Sequence, residues 1–207
     1  MRGKLLLLAA TVCLSQAAEK PTLAVVMEFP GEVSPAARDT FRLETERLLE
    51  GAGVEVSWRT PGQAEWHETF HRVVVLKFRD GCTPARTMER GRVSVLGRTF
   101  VTDGQVLPFI ELDCRLVQED TYTGHCQASS SACAARLGRA LARVAAHEIC
   151  HVLTTSGAHD KQGIMKPSFD HRDLCGAELS FSPGTVQRLR RSLGTTEPPT
   201  TAYSRSF

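Results

Sequence analysis

The chain turns on His147-Glu148-Ile149-Cys150-His151-Val152-Leu153-Thr154-Thr155-Ser156-Gly157-Ala158-His159. These residues close a run rich in alanine, leucine and valine that begins near Ser131. The run predicts one long helix from about Ser131 to Leu153, with Leu137, Leu141 and Val144 turned toward a core. Residues four apart on a helix share a face, about one turn apart, so His147 and His151 can bring two imidazoles to one Zn²⁺. Glu148 then stands beside the ion without binding it, placed to take a proton from its water. A catalytic zinc needs a third protein ligand and an open position. His159 is the first candidate for that ligand, with Asp160 and Glu178 as the others. Gly157 is expected to let the chain leave the helix and double back.

A second stretch, Gly163-Ile164-Met165-Lys166-Pro167, follows closely. With HEICHVLTTSGAH and GIMKP together, the chain resembles the metzincin clan of zinc metallopeptidases. In pattern it is closest to short secreted bacterial members with a longer gap before the third histidine. The likeness covers roughly residues 22 to 175. It implies a methionine turn at Met165, lying beneath the metal as a floor and not as a ligand. It also implies an α+β fold, in which a mixed five-stranded sheet packs on two long helices. The zinc-binding helix is the second of these, and a short C-terminal subdomain follows. The metzincin pattern H-E-x-x-H-x-x-G-x-x-H is not met throughout. Thr154 stands at its glycine and Gly157 at its third histidine, so two extra residues precede His159. Glu178 as ligand would instead suit a thermolysin-like arrangement, but the GAELSFSPG around it does not read as a helix.

Working outward, the remaining elements have their own signals. Thr22 to Glu28 is a short apolar strand. Ser34-Pro35 starts a helix with a capping hydroxyl and a proline at the first helical position. Ala37, Phe41 and Leu48 line one face of it, and Gly51 ends it. Val54 to Arg59 and Arg72 to Phe78 read as strands. Arg98 to Thr102 and Val106 to Leu112 flank Asp103-Gly104, a pair suited to a tight hairpin turn. Ser182-Pro183 opens a last helix ending near Gly194. No internal repeat or interdomain linker is visible.

The N-terminus bears on compartment. Arg2 and Lys4 precede the apolar run Leu5 to Leu14, then Ser15-Gln16-Ala17, the order of a secretory signal peptide. Ten apolar residues are short for a spanning helix, which needs about 20. The expected organisation is a signal peptide over 1–17, a zinc-metallopeptidase-like domain over 18–194, and a disordered tail over 195–207. Secretion or periplasmic export follows, with no stable membrane anchor once the signal is cleaved. The formal charge of +2 loses Arg2 and Lys4 and falls to 0, too little to mark a nucleic-acid binder. With 42% hydrophobic residues the chain is not a disordered one. It contains no asparagine, which excludes N-glycosylation.

Apart from Cys13, six cysteines remain, an even number that reads first as disulfides in an exported chain. The metzincin strand order would make the strands before Cys82 and Cys114 parallel neighbours, which implies a Cys82–Cys114 bridge. Cys126–Cys133 and Cys150–Cys175 are the favoured pairings for the rest. A buried free Cys150, or Cys150 as a metal ligand, is the alternative. His67, His71, His125 and His171 have no partner at ligand spacing and read as surface or hydrogen-bonding residues. The function the resemblance implies is a secreted zinc metalloendopeptidase, monomeric, with one catalytic Zn²⁺ and a peptide or protein substrate. A substrate in extended form could add to the outer strand of the hairpin. A secreted protein-binding module with a vestigial zinc site, or a non-peptide zinc hydrolase, are the competing readings.

Overall fold

Ser34 and Ser182 each accept a hydrogen bond at the start of a helix, from Ala37 N and Thr185 N, and each precedes a proline. The computed structural model describes residues 20–62, 68–79, 82, 95–122 and 130–194. The elements run β1 (Thr22–Met27), α1 (Pro35–Gly51), β2 (Glu55–Arg59), β3 (Arg72–Arg79), β4 (Gly97–Thr102) and β5 (Gln105–Asp113). Then come α2 (Cys114–Thr121), α3 (Ser131–Thr154), α4 (His171–Cys175) and α5 (Pro183–Ser192). The expected signal peptide and tail fall on residues 1–19 and 195–207, outside the described residues. No helix among the described residues is long and apolar enough to cross a membrane.

The five strands form one mixed sheet in the order β2-β1-β3-β5-β4. β1 pairs in parallel with β2 and β3, and β3 with β5, while β4 returns antiparallel along β5. The hairpin turn uses Asp103 and Gly104, both at positive φ (48° and 75°), as a tight turn matched to strand twist requires. Period-two alternation puts Leu23, Val25, Met27, Val74, Leu76, Ile110 and Leu112 into the core, where Phe41 of α1 and Leu141 of α3 lie among them. The helices can come this close because of Gly138. A Cβ there would meet the Ala37 carbonyl oxygen at 2.3 Å.

Two short helices lie outside the expected order. α2 follows β5 without a break, because the Asp113 side chain turns back to accept Leu116 N. α4 is set by a capping box between Asp170 and Asp173. The parallel neighbours β3 and β5 bring Cys82 and Cys114 together in a disulfide with Cα atoms 4.9 Å apart. Cys133 is also disulfide-bonded; Cys126, its expected partner, lies outside the described residues. The Cys150–Cys175 pairing is corrected: both thiols are free. Cys150 faces the Asp160 and Arg188 side of α3, whereas Cys175 lies among Arg136, Arg139 and Arg143. The Cys175 carbonyl accepts Arg139 Nη1. Arg139 precedes Cys150 by eleven residues, about 16 Å along the helix axis, far beyond disulfide reach.

Candidate metal centre

His147 and His151 lie on one face of the last turns of α3, 7% and 8% exposed. The chain then reverses and returns His159 to the same place. The reversal is not made at Gly157, as expected from sequence. Thr155 takes the left-handed conformation (φ 47°), and its N–H and that of Ser156 close the helix on Val152 O and His151 O. The three imidazoles converge at their Nε2 atoms: His151 is 3.0 Å and His159 3.2 Å from His147. Among the described residues these three form a group whose ligand atoms all lie within 4.8 Å of one another.

The far sides of two rings are fixed by backbone carbonyls. His147 Nδ1 is 2.8 Å from Ile164 O, and His151 Nδ1 is 2.6 Å from Ser156 O. A carbonyl oxygen only accepts, so each Nδ1 carries the proton and each Nε2 presents a lone pair. Burial lowers the His147 imidazole to about 4, outweighing the Ile164 hydrogen bond, and the neighbouring His151 and His159 add to the fall. Burial likewise lowers His151. Both are therefore neutral near pH 7, and clustered lone pairs of this kind cannot satisfy one another. A divalent cation would satisfy them. Nitrogens held tetrahedrally at zinc bond lengths stand about 3.3 Å apart, so the observed spacing and the all-imidazole donor set fit that ion.

The reserve ligands are elsewhere. Asp160 accepts from Ser182 and Thr185 at the start of α5 and from Arg188 (2.7 Å). Burial alone would raise its carboxyl, but these three bonds and the Arg188 charge outweigh it and hold it at about 2. Glu178 is exposed and is absent from the histidine group. His71 instead accepts Thr22 N, and His171 meets the Asp120 carbonyl. His67 and His125 lie outside the described residues.

Met165 is buried (1% exposed) one residue beyond the carbonyl that holds His147. Its turn is pinned on three sides: Lys166 N to Gly163 O (3.3 Å), Asp160 N to Met165 O (2.7 Å), and Ile164 N to Ser180 O (3.0 Å). Gly163 sits at φ 76°, and a Cβ on it would lie 2.6 Å from Ser180 O, so this turn needs glycine.

No family model matches this sequence, and no curated protein matches it. Among solved structures, the crystal structure of archaemetzincin from Methanopyrus kandleri is similar over 87% of this chain and 99% of that one. The identity is 14% and the TM-score 0.49.

Glu148 also points into the cleft, 7% exposed. Burial raises its carboxyl, the hydroxyl and backbone N–H of Thr99 pull it back only in part, and it lies at about 7. The cleft has a volume of about 520 Å³; apolar walls come from Val95, Val101, Val106, Leu116 and Phe169. One residue that sequence reasoning passed over supports the whole arrangement. Arg143, one turn before His147, is wholly buried. Its guanidinium donates to Glu44 on α1 (3.0 Å), to Asp173 O (2.7 Å) and to Ala177 O (3.4 Å). Arg143 thus ties α3 both to α1 and to the segment after Met165. Its signal was present: a lone charge inside the apolar run Ala140 to Ala146.

Proposed function

We propose that this chain is an exported zinc-dependent metalloendopeptidase in which His147, His151 and His159 hold the ion. The observation that carries this is the convergence of three Nε2 atoms within 4.8 Å, two of them on rings oriented by carbonyls. When bound, zinc acts as a Lewis acid that acidifies water and polarises a carbonyl. Glu148 acts as general base: its carboxylate removes a proton from water as that water attacks the scissile carbonyl carbon. The proton passes from Glu148 to the departing amine, so the carboxylate is regenerated. A structural zinc site has no use for such a group, and its presence in the cleft favours an enzyme over a binding module with a vestigial site.

β4 is one of the sheet's two edge strands and borders the cleft through Gly97, Thr99 and Val101. An extended peptide pairing with that edge by strand addition would run past Glu148 with its side chains against the apolar walls. Met165 serves as a packed floor behind His147. The disulfides at Cys82–Cys114 and at Cys133 support an oxidising compartment, hence export. The test compares two variants on casein. Glu148→Ala should retain zinc and lose cleavage, whereas His147→Ala should lose both. Cleavage retained by Glu148→Ala would refute the mechanism.

A further inference from the structure

β4 lies against α3 at the point where Glu148 leaves the helix, and three independent features meet there. Thr99 Oγ1 lies 2.8 Å from Glu148 Oε2 and 3.1 Å from the Glu148 backbone carbonyl. The one hydroxyl proton is shared between two acceptors of the same residue, the nearer being the side-chain oxygen. Gly97, two residues earlier on the same face, leaves the space in which the glutamate side chain lies. A Cβ there would stand 3.0 Å from Glu148 Cγ and 2.7 Å from Val144 Cγ1. Finally, the β4–β5 ladder holds register to Thr99↔Ile110, then slips before Val101↔Val106. Such irregularities re-aim side chains beside active sites.

From this geometry we infer that Thr99 is the positioning residue of the proposed reaction. Its hydroxyl fixes Glu148 Oε2, so that Oε1 is the oxygen presented to the attacking water. Oε1 accepts from no side chain among the described residues, and the Thr99 backbone N–H adds a second hold on the same carboxyl. A free glutamate side chain samples several rotamers, and fixing one costs entropy. The Thr99 hydroxyl contact with Oε2 and the space left by Gly97 fix it before substrate arrives. Thr99 does not touch the substrate's reacting atoms; it acts through Glu148. The inference rests on the peptidase reading above, and the experiment separates the two.

Thr99→Val keeps the shape and removes the hydroxyl; Thr99→Ser keeps the hydroxyl. Loss of a hydrogen bond to a charged group should lower kcat about 10- to 100-fold in Thr99→Val. KM should stay within about twofold and zinc at one per chain, as expected when ground-state binding is untouched. Thr99→Ser should restore kcat to within about threefold of wild type. The second readout is independent of turnover. In metal-free protein at pH 9, where the carboxylate is ionised, the Glu148 carboxyl ¹³C resonance, identified by its loss in Glu148→Gln, should shift in Thr99→Val and not in Thr99→Ser. A Thr99→Val enzyme with unchanged kcat, a Thr99→Ser enzyme as impaired as Thr99→Val, or an unmoved resonance would each overturn the inference. A wild-type protein that cleaves nothing would instead overturn the peptidase reading, and the resonance would still decide the role of Thr99.

Discussion

Arg143→Met asks how much of the site's support comes from one buried charge. Arg143 has no exposed surface and supplies three donors, to Glu44 and to the carbonyls of Asp173 and Ala177. Removing one partner of a buried ion pair costs about 3–5 kcal/mol, most of it from the charge left behind. Here Glu44 is not abandoned. Arg47 keeps two bonds to it, at 2.7 and 2.9 Å. Burial pushes the Glu44 carboxyl up, but the bonds from Arg47 and Arg143 prevail and hold it below its ordinary value. Methionine also fills much of the vacated space. The cost should therefore sit at the lower end, about 3 kcal/mol, of which the stranded Asp173 and Ala177 carbonyls are the larger part. For a domain of this size each kcal/mol moves Tm by about 2–4 °C, so the expected fall is about 6–12 °C. Thermal melts would measure that fall, and urea denaturation of wild type, Arg143→Met, Glu44→Gln and the double variant should give a coupling of about 1–2 kcal/mol between the two sites. A fall below about 2 °C, or a coupling indistinguishable from zero, would show that the guanidinium does not tie α3 to α1 and to the segment beyond Met165.

Two further outcomes follow from other contacts. Asp160 titrates near 2 in the folded chain against an ordinary 3.8, so its folded value is depressed. The stability it confers is complete above pH 3.8 and is lost as pH falls through about 2. Asp160→Asn should be less stable than wild type at pH 6 and should lack that part of the acid transition, as read by thermal melts across pH; parallel melting curves for the two proteins would contradict this. The Cys82–Cys114 bridge closes a loop of sequence separation 32, and chain-entropy reasoning assigns it about 3–4 kcal/mol. The Cys82→Ala/Cys114→Ala double variant should lose that amount in denaturant titrations, and a loss under about 1 kcal/mol would mean the bridge constrains little.

Much of the architecture was legible because its signals are local. Ser34-Pro35 and Ser182-Pro183 announce helix starts through groups within three residues of each other, and Asp103-Gly104 carries its turn in its own backbone preferences. The histidine pair was legible for the same reason: helical spacing alone places His147 beside His151. What escaped depends on contacts through space. α2 was hidden because Asp113 caps it from the last residue of β5, so the strand's apolar pattern runs into the helix without a break. The Cys150–Cys175 pairing failed because sequence proximity to the site says nothing about which face of α3 a thiol takes. Gly157 was the obvious residue for the reversal, but Thr155 makes it, held by hydrogen bonds that offset its unfavourable φ. Thr99 could not have been singled out, because nothing in its surroundings on the edge strand marks which residue lies opposite it. Arg143 could have been, since a charge amid Ala140 to Ala146 has to find a partner if the helix is buried.

The most direct test of zinc-dependent peptide hydrolysis is the recovery of casein cleavage as zinc is returned to the metal-stripped protein. Cleavage should be absent without metal and rise in proportion to added zinc. It should level off at one ion per chain, the number that the His147, His151 and His159 group can hold. Cleavage that persists without metal, or none at all from a chain carrying its one zinc, would contradict the assignment.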